Sequence, residues 1–271
     1  MQKIGIFHNP QKEKAITFAH TISDWLIKQK KVVQDIVSDN EEKSISSLDL
    51  IICVGGDGSL LKLSSFLRGA SVPIVGVNAG NLGFLTHVKE DEIFEELNQI
   101  FSGDYECEER LMLTVTIVRN NKVHASFHVL NDVVISREGL ARFLGIEVKV
   151  DNSTVTSFGG DGVIVATPTG SSAYSLSAGG PFLYPTLEAM VITPLCPHSL
   201  KRSTCVVPAH VTISITARGE GEDEHACVLL DGQEKKTIGS CDTVTVTKAP
   251  YSFRLIKSSR REYFDIVNEK F

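Results

Sequence analysis

The chain has no long hydrophobic run. Its apolar stretches, such as Leu50–Val54 and Val163–Ala166, fall far short of the roughly 20 residues that a membrane-spanning helix needs. No charged-then-apolar leader pattern opens it, because a strand-like run, Ile4–Phe7, begins almost at once. Positive charge is not in excess: 27 Lys+Arg against 33 Asp+Glu leave a net charge of −6. That balance argues against a general nucleic-acid binder and leaves room only for a small basic pocket. The six cysteines, Cys53, Cys107, Cys196, Cys205, Cys227 and Cys241, form no C-x-x-C pair, which speaks against a structural zinc site. We expect reduced thiols in a cytoplasmic protein. There is no Walker A loop, no G-x-G-x-x-G and no low-complexity segment.

What is present is ordinary globular material, 42% hydrophobic and 22% charged over 271 residues. At about 150 residues per domain, that length suggests two domains, large enough to fold without staples. The patterning changes near residue 105. Before it, apolar strands (Ile4–Phe7, Val32–Val37, Leu50–Val54, Pro73–Val77) alternate with helical periodicities, among them Ala15, Phe18, Ala19, Ile22, Trp25 and Leu26. This predicts a parallel sheet covered by helices, with ligands expected at the carboxyl ends of the strands. After it, short strands dominate, including Leu113–Val118, Val123–Leu130, Gly145–Val150, Gly162–Ala166, Val211–Ala217, Ala226–Leu230 and Thr243–Thr247. The reading is an N-terminal Rossmann-like α/β domain over 1–105 and an antiparallel β-rich domain over 106–250. A tail, 251–271, is expected to return to the first domain.

Two G-G-D-G tetrads carry the chemical signal. Gly55-Gly56-Asp57-Gly58 follows a strand and precedes a helix, so glycine amides and a helix N-terminus can approach phosphate. The aspartate is out of place among such amides, because it repels phosphate. It fits phosphoryl transfer, in which Asp57 orients or deprotonates an acceptor hydroxyl or helps to hold Mg²⁺. The alternative is a helix N-cap. Gly159-Gly160-Asp161-Gly162 precedes a strand, and by itself reads as a hairpin turn. Behind it comes Thr167-Pro168-Thr169-Gly170-Ser171-Ser172-Ala173-Tyr174, then Gly179-Gly180-Pro181, a hydroxyl-rich and glycine-rich loop suited to a heterocycle. Asn131-Asp132 interrupts the apolar run Val129–Ile135; the pair suits a vicinal diol, or else marks a strand bulge or edge.

In order, GGDGSLL at Gly55–Leu61, GVNAGNLGFL at 76–85, Asn131-Asp132, DGVIVATPTGSSAYSLSAGGP at Asp161–Pro181, PLCPHSL at 194–200 and DGQ at Asp231–Gln233 resemble the NAD kinases. The likeness runs from about residue 4 to about 255. The TPTGSSAYSLSAGGP run is its most specific part, since lipid kinases and phosphofructokinases share the GGDG loop. The resemblance implies transfer of the γ-phosphate of ATP to the 2′-hydroxyl of the adenosine ribose of NAD, with a divalent metal, usually Mg²⁺. It implies a site between an α/β and a β domain, in a homodimer or homotetramer. It makes Asp57 the catalytic base and Gly58 a contact to the same ligand. Asn131, Asp132 and Asp161 become NAD-binding residues, and Arg142 a variable basic contact. Thr169, Gly170, Ser171, Ser172, Ala173 and Tyr174 become the loop around the nucleotide, joined by Gln233. Gly159 stands where some relatives carry arginine, so that contact is missing here. Cys196 and His198 fall near the nucleotide in the same likeness, with packing roles equally open. Two rivals remain at this stage: a lipid or sphingoid kinase sharing the loop, and a dinucleotide-binding module without catalysis.

Overall fold

The computed structural model describes residues 1–36, 45–78, 80, 83–138, 143–198, 204–219 and 226–270. These fall into two compact units, one made of 1–109 with 252–271 and the other of 110–251.

The first unit is built on a seven-stranded sheet. Its first strands and helices are β1 (Lys3–His8), α1 (Glu13–Lys28), β2 (Val32–Asp35), β3 (Leu50–Val54), α2 (Asp57–Phe66) and β4 (Ile74–Asn78). The sheet order is β2-β1-β3-β4, followed by Phe253–Ile256 and Cys107–Arg110, with Val88–Lys89 paired to β4. The pairs among β1 to β4 are parallel, and Leu255 also pairs in parallel with Ile74. Every residue of β3 and β4 is buried, as expected of central strands covered on both faces. Ala15, Phe18, Ala19, Ile22 and Leu26 of α1 pack on Ile4, Ile6, Leu50, Ile52 and Val54. Burying each large side chain of this kind contributes about 1.5–3 kcal/mol. The Trp25 ring lies 5.3 Å from Phe94 and 6.3 Å from Phe101, closing that face against the helix Ile93–Ser102.

The second unit contains two six-stranded antiparallel sheets. One carries Leu113–Arg119, Lys122–Val129, Leu144–Val150, Ser153–Gly160, Ile213–Arg218 and Thr243–Lys248. The other runs Cys205–Pro208, Ala189–Leu195, Gly162–Ala166, Asp132–Arg137, Ala226–Leu230, Glu234–Ile238. They share one core: Val115, Ile117, Ile146 and Val244 from the first meet Val133, Ile135, Val163, Val165 and Ile192 from the second. The alternate residues Val134, Ile164, Ala166 and Val191 face the opposite way, under Ala178 and Leu183. The second sheet is therefore covered on both faces, which explains why Gly162–Ala166 reads as an unbroken apolar run.

The second tetrad is not a hairpin turn. Gly160 ends an edge strand of one sheet and Gly162 begins an inner strand of the other, so Asp161 sits where the chain crosses between sheets. A Cβ on Gly162 would lie 2.4 Å from the Ile135 carbonyl oxygen, and one on Gly160 2.9 Å from that of Leu195. Close backbone approach, rather than a turn, is what these glycines supply. Among the described residues no helix is long and apolar enough to cross a membrane.

Candidate active site

The strand β3 delivers the chain to Gly55, whose φ of 155° lies in the region that favours glycine. A Cβ there would sit 2.1 Å from Ser59 Oγ, so the loop closes onto its own helix. Gly56 caps α2 in extended conformation, with nothing within 4 Å of the place a Cβ would take. Asp57 is the first helical residue and Gly58 is exposed beside it.

The Asp57 carboxylate does not cap α2. Its Oδ2 accepts the Phe84 N–H at 2.8 Å, and its Oδ1 accepts the N–H groups of Leu85 at 3.0 Å and Thr86 at 3.2 Å. The Thr86 hydroxyl adds a fourth bond to Oδ1 at 3.2 Å. The N-cap alternative is thus replaced by a tie to the segment 83–86. Gly83 is required there, because a Cβ would come within 2.0 Å of Asp57 Oδ1. Asn78, at the end of β4, donates from Nδ2 to Thr86 Oγ1 at 2.8 Å and accepts the Gly80 N–H. The ends of two adjacent strands therefore hold one carboxylate by a short polar network.

Asn131 and Asp132 lie at the start of Asp132–Arg137, an inner strand flanked by Gly162–Ala166 and Ala226–Leu230, so the edge-strand alternative does not hold. The Asn131 Oδ1 is buried and accepts no hydrogen bond. Asp132 is 5% exposed. Burial, reinforced by the nearby Asp231 charge, pushes its carboxyl up to about 7. Around the pair the backbone is dense. The Thr167 hydroxyl donates to Leu130 O at 2.6 Å and accepts the Gly170 N–H at 3.0 Å, while the Thr167 N–H reaches Asn131 O at 2.8 Å. A Cβ on Gly170 would stand 2.1 Å from the Asn131 carbonyl oxygen. Thr167 and Gly170 therefore fasten the hydroxyl-rich loop to the Asn131-Asp132 turn.

Within that loop, Ser171 is buried and spent on structure: it donates to Pro168 O at 2.6 Å and accepts the Leu183 N–H at 2.9 Å. Ser172 donates to Thr169 O at 3.1 Å. Thr169 is buried, with its hydroxyl 3.5 Å from Nη1 of Arg110, a guanidinium only 1% exposed. Ala173 precedes the short helix Tyr174–Ser177, and the Tyr174 side chain is half exposed. Asp161 forms an ion pair of 3.1 Å with Arg137 Nε. Gln233 is exposed in a tight turn, its N–H bonded to Leu230 O. His198 donates its N–H to Gly159 O and packs its ring edge-on to Phe143 at 4.0 Å, while Cys196 is exposed. Arg142, with Ser199 and Leu200 of the PLCPHSL run, lies outside the described residues.

Three residues escaped the sequence reading. Asp231 accepts three amides from Leu130 to Asp132, Arg137 pairs with Asp161, and Arg110 reaches the loop at Thr169. Asp231 had a signal, since it belongs to the quoted DGQ. Arg110 and Arg137 had none, because a strand arginine reads as solvent-facing. Among the described residues no three of His, Cys, Asp and Glu gather to hold a metal ion.

The family model described as the ATP-NAD kinase N-terminal domain matches residues 27–105, and the model for the ATP-NAD kinase C-terminal domain matches 130–258. The chain is 37% identical to a NAD kinase of Syntrophotalea carbinolica over 100% of this chain and 98% of that protein. A NAD kinase of Heliobacterium modesticaldum is equally similar, 37% identical with the same coverage. In fold, the chain is similar to a yeast NADH kinase solved with NADH (TM-score 0.91, 22% identity, 100% of this chain and 87% of that one). It is also similar to an NAD kinase from Archaeoglobus fulgidus solved with ATP (TM-score 0.80, 24% identity, 99% and 98%).

Proposed function

The chain belongs to the NAD kinase family, and from that premise we propose how its own residues divide the transfer of the ATP γ-phosphate to the 2′-hydroxyl of the adenosine ribose of NAD. The observation that carries the reading is the Asn131-Asp132 pair. It offers buried acceptor oxygens, one of them without a donor, where burial without partners is costly. A vicinal diol supplies a donor for the Asn131 oxygen and a second for the Asp132 carboxyl beside it. Gly170 and Thr167 hold the loop against the pair, so Thr169, Ser172, Ala173 and Tyr174 flank the adenosine, with the half-exposed Tyr174 ring free to cover the base. Asp161 and Gln233 contribute further polar contacts to NAD. Arg137 sets the direction of the Asp161 carboxylate.

Asp57 serves the reacting hydroxyl. Its oxygens already accept four hydrogen bonds, close to the capacity of a carboxylate. Taking a ribose hydroxyl therefore means displacing a donor, and the Thr86 hydroxyl is the one that can rotate away. The transfer is in-line. The 2′-oxygen forms its bond to the γ-phosphorus, the bond from that phosphorus to the bridging oxygen breaks, ADP leaves, and the hydroxyl proton passes to Asp57. The loop at Gly55–Gly58 and the N-terminus of α2 face the phosphates with backbone amides. The divalent cation enters with the ATP phosphates and screens their charge. Positioning and electrostatics supply most of the acceleration. We place the enzyme in the cytoplasm, where its six cysteines stay as free thiols, and expect a homo-oligomer.

The test is purified protein with NAD, ATP and Mg²⁺, read by an enzyme specific for NADP. Parallel arms carry polyphosphate for ATP and NADH for NAD. ATP- and NAD-dependent formation of NADP is expected; none in any arm overturns the reading.

A further inference from the structure

Leu230, Asp231, Gly232 and Gln233 form a turn with two consecutive positive φ values, 50° at Asp231 and 62° at Gly232, closed by the Gln233 N–H on Leu230 O at 2.8 Å. This is a type I′ hairpin turn, which joins Ala226–Leu230 to Glu234–Ile238. Because Leu230 pairs with Val133, the turn brings Asp231 beside Asp132. Four hydrogen bonds follow. The Asp231 carboxylate accepts the N–H of Leu130 at 2.8 Å, of Asn131 at 2.8 Å and of Asp132 at 3.0 Å. The Asp231 N–H returns to Asp132 O at 3.0 Å.

The turn alone does not call for this carboxylate, because Asn-Gly makes the same I′ turn. The carboxylate has a cost. Burial pushes Asp231 up to about 6 despite its three amide donors, and its charge helps to push Asp132 to about 7. Ala166 pairs with Asp132 from the other side, and Thr167 and Gly170 pack on Asn131. None of these residues titrates, so Asp231 is the charged group that acts on Asp132. A fold that needed only a hairpin would not set a second, half-buried acid against the backbone of the buried Asp132.

We infer that Asp231 is a positioning residue for the acceptor site: it shapes the backbone from which Asn131 and Asp132 project, and it sets a second negative charge against Asp132. The inference rests on the reading of Asn131-Asp132 as the NAD-binding pair.

The experiment uses the full chain and NAD as probe. NAD affinity is titrated from pH 5.5 to 8.5, and kcat and KM come from the NADP-specific assay. Thermal melts verify folding. Asp231→Asn keeps the I′ turn but points an NH₂ group at amide donors and removes the charge. NAD binding should weaken about tenfold at pH 8 with kcat little changed, since hydrogen bonds to a charged group are lost on the acceptor side alone. The pH at which NAD affinity changes should fall, because Asp132 ionises more easily without its neighbour. If Asp231→Asn does not fold, Asp231→Glu keeps the charge and displaces the oxygens. It should weaken NAD while leaving the pH midpoint near the native one. Native NAD affinity in either folded variant, or an unmoved midpoint in Asp231→Asn, overturns the inference. Asp132→Ala separates the two claims: native NAD affinity there overturns the acceptor-site reading itself, whereas weakened NAD there with a native Asp231→Asn enzyme overturns the role of Asp231 alone.

Discussion

A carboxylate that holds four donors is both a clamp and a reactive group, and Asp57 shows how the two roles are told apart. Asn in its place keeps one acceptor oxygen and turns an NH₂ group toward the N–H groups of Phe84 to Thr86. Asp57→Asn should lower kcat by about 10²–10⁴-fold, the usual cost of a lost positioned base, with NAD affinity nearly intact. It should also cost about 1–3 kcal/mol of stability, because buried donors lose their partner. Kinetics, NAD titration and urea unfolding on the same preparation distinguish these effects, and a wild-type kcat would remove Asp57 from the chemistry. Asp132 makes the converse case. Its folded value of about 7 lies above the ordinary aspartate value of about 3.9. Below about pH 4 both folded and unfolded chains hold the proton, and the buried acid has no penalty. As pH rises toward 7 the unfolded chain releases its proton first, so stability falls, and above 7 the whole penalty is felt. Ligand-free Asp132→Asn should therefore gain stability relative to the native enzyme, more at pH 8 than at pH 5, while losing NAD affinity. Urea midpoints at the two pH values check the sign; a larger gain at pH 5 would refute it. Residue types and order were enough to mark both acids in the sequence. Their partners were not legible, because amides of 84–86 and of 130–132 carry no residue identity.

Elements differ in how much of themselves they show in the sequence. Helix α1 was plain because its apolar residues repeat at one helical period, and the strands β1, β3 and β4 because burial on both faces makes each a short unbroken apolar run. Ser153–Gly160 and Glu234–Ile238 are edge strands with mostly exposed, polar side chains, so no alternation marked them. The sheet crossing at Asp161 imitated a turn because both features use glycine. The segment that holds Asp57 depends on a partner still harder to read. His87 Nε2 lies 2.8 Å from Phe84 O, the His87 carbonyl accepts from Arg261 Nη1 at 3.3 Å, and Arg261 grips Glu92 with two bonds of 2.6 and 2.7 Å. Arg261 holds the Glu92 carboxyl down to about 2. Both side chains are largely buried. Arg261→Ala leaves that carboxylate with the Lys89 N–H at 3.0 Å and the more distant Arg260 guanidinium at 3.9 Å. It should cost about 1.5–3 kcal/mol, the range of lost charge-assisted hydrogen bonds, whereas replacing both partners by apolar residues of similar volume should cost less. Hydrogen exchange at the Phe84–Thr86 amides should quicken in the single variant. Equal stability of the single and the double variant would show that the pair does not anchor this segment.

At the scale of the molecule the two units differ in how the chain builds them. Residues 110–251 are contiguous and own a complete two-sheet core, from Leu113 and Val115 through Ile192 to Val246. The other unit is interrupted: Phe253–Ile256 is an inner strand of its sheet, between β4 and Cys107–Arg110, and Ile256 belongs to the α1-facing core. Ser258 and Ser259 then satisfy the buried Glu96, through bonds of 3.1 Å from the Ser258 hydroxyl and 3.0 Å from the Ser259 N–H. A fragment of 1–109 thus leaves β4 without its neighbour and Glu96 without donors, and exposes a row of unpaired strand groups. The fragment 110–251 should melt cooperatively and keep measurable, weakened affinity for NAD, because Asn131, Asp132, Asp231 and the Thr169–Tyr174 loop all lie within it. In that fragment Tyr174→Ala should weaken NAD further, by about the 1–3 kcal/mol of an aromatic–base contact. The fragment 1–109 should aggregate or unfold without cooperativity, and adding back residues 252–271 through a linker should restore its melting transition. Neither piece should make NADP, since Asp57 and the acceptor pair lie in different units. Circular dichroism melts, NAD titration and the NADP-specific assay decide each point. NADP formed by either piece alone would mean that the chemistry does not need both Asp57 and Asp132, and the division of labour proposed for this enzyme would fall with it.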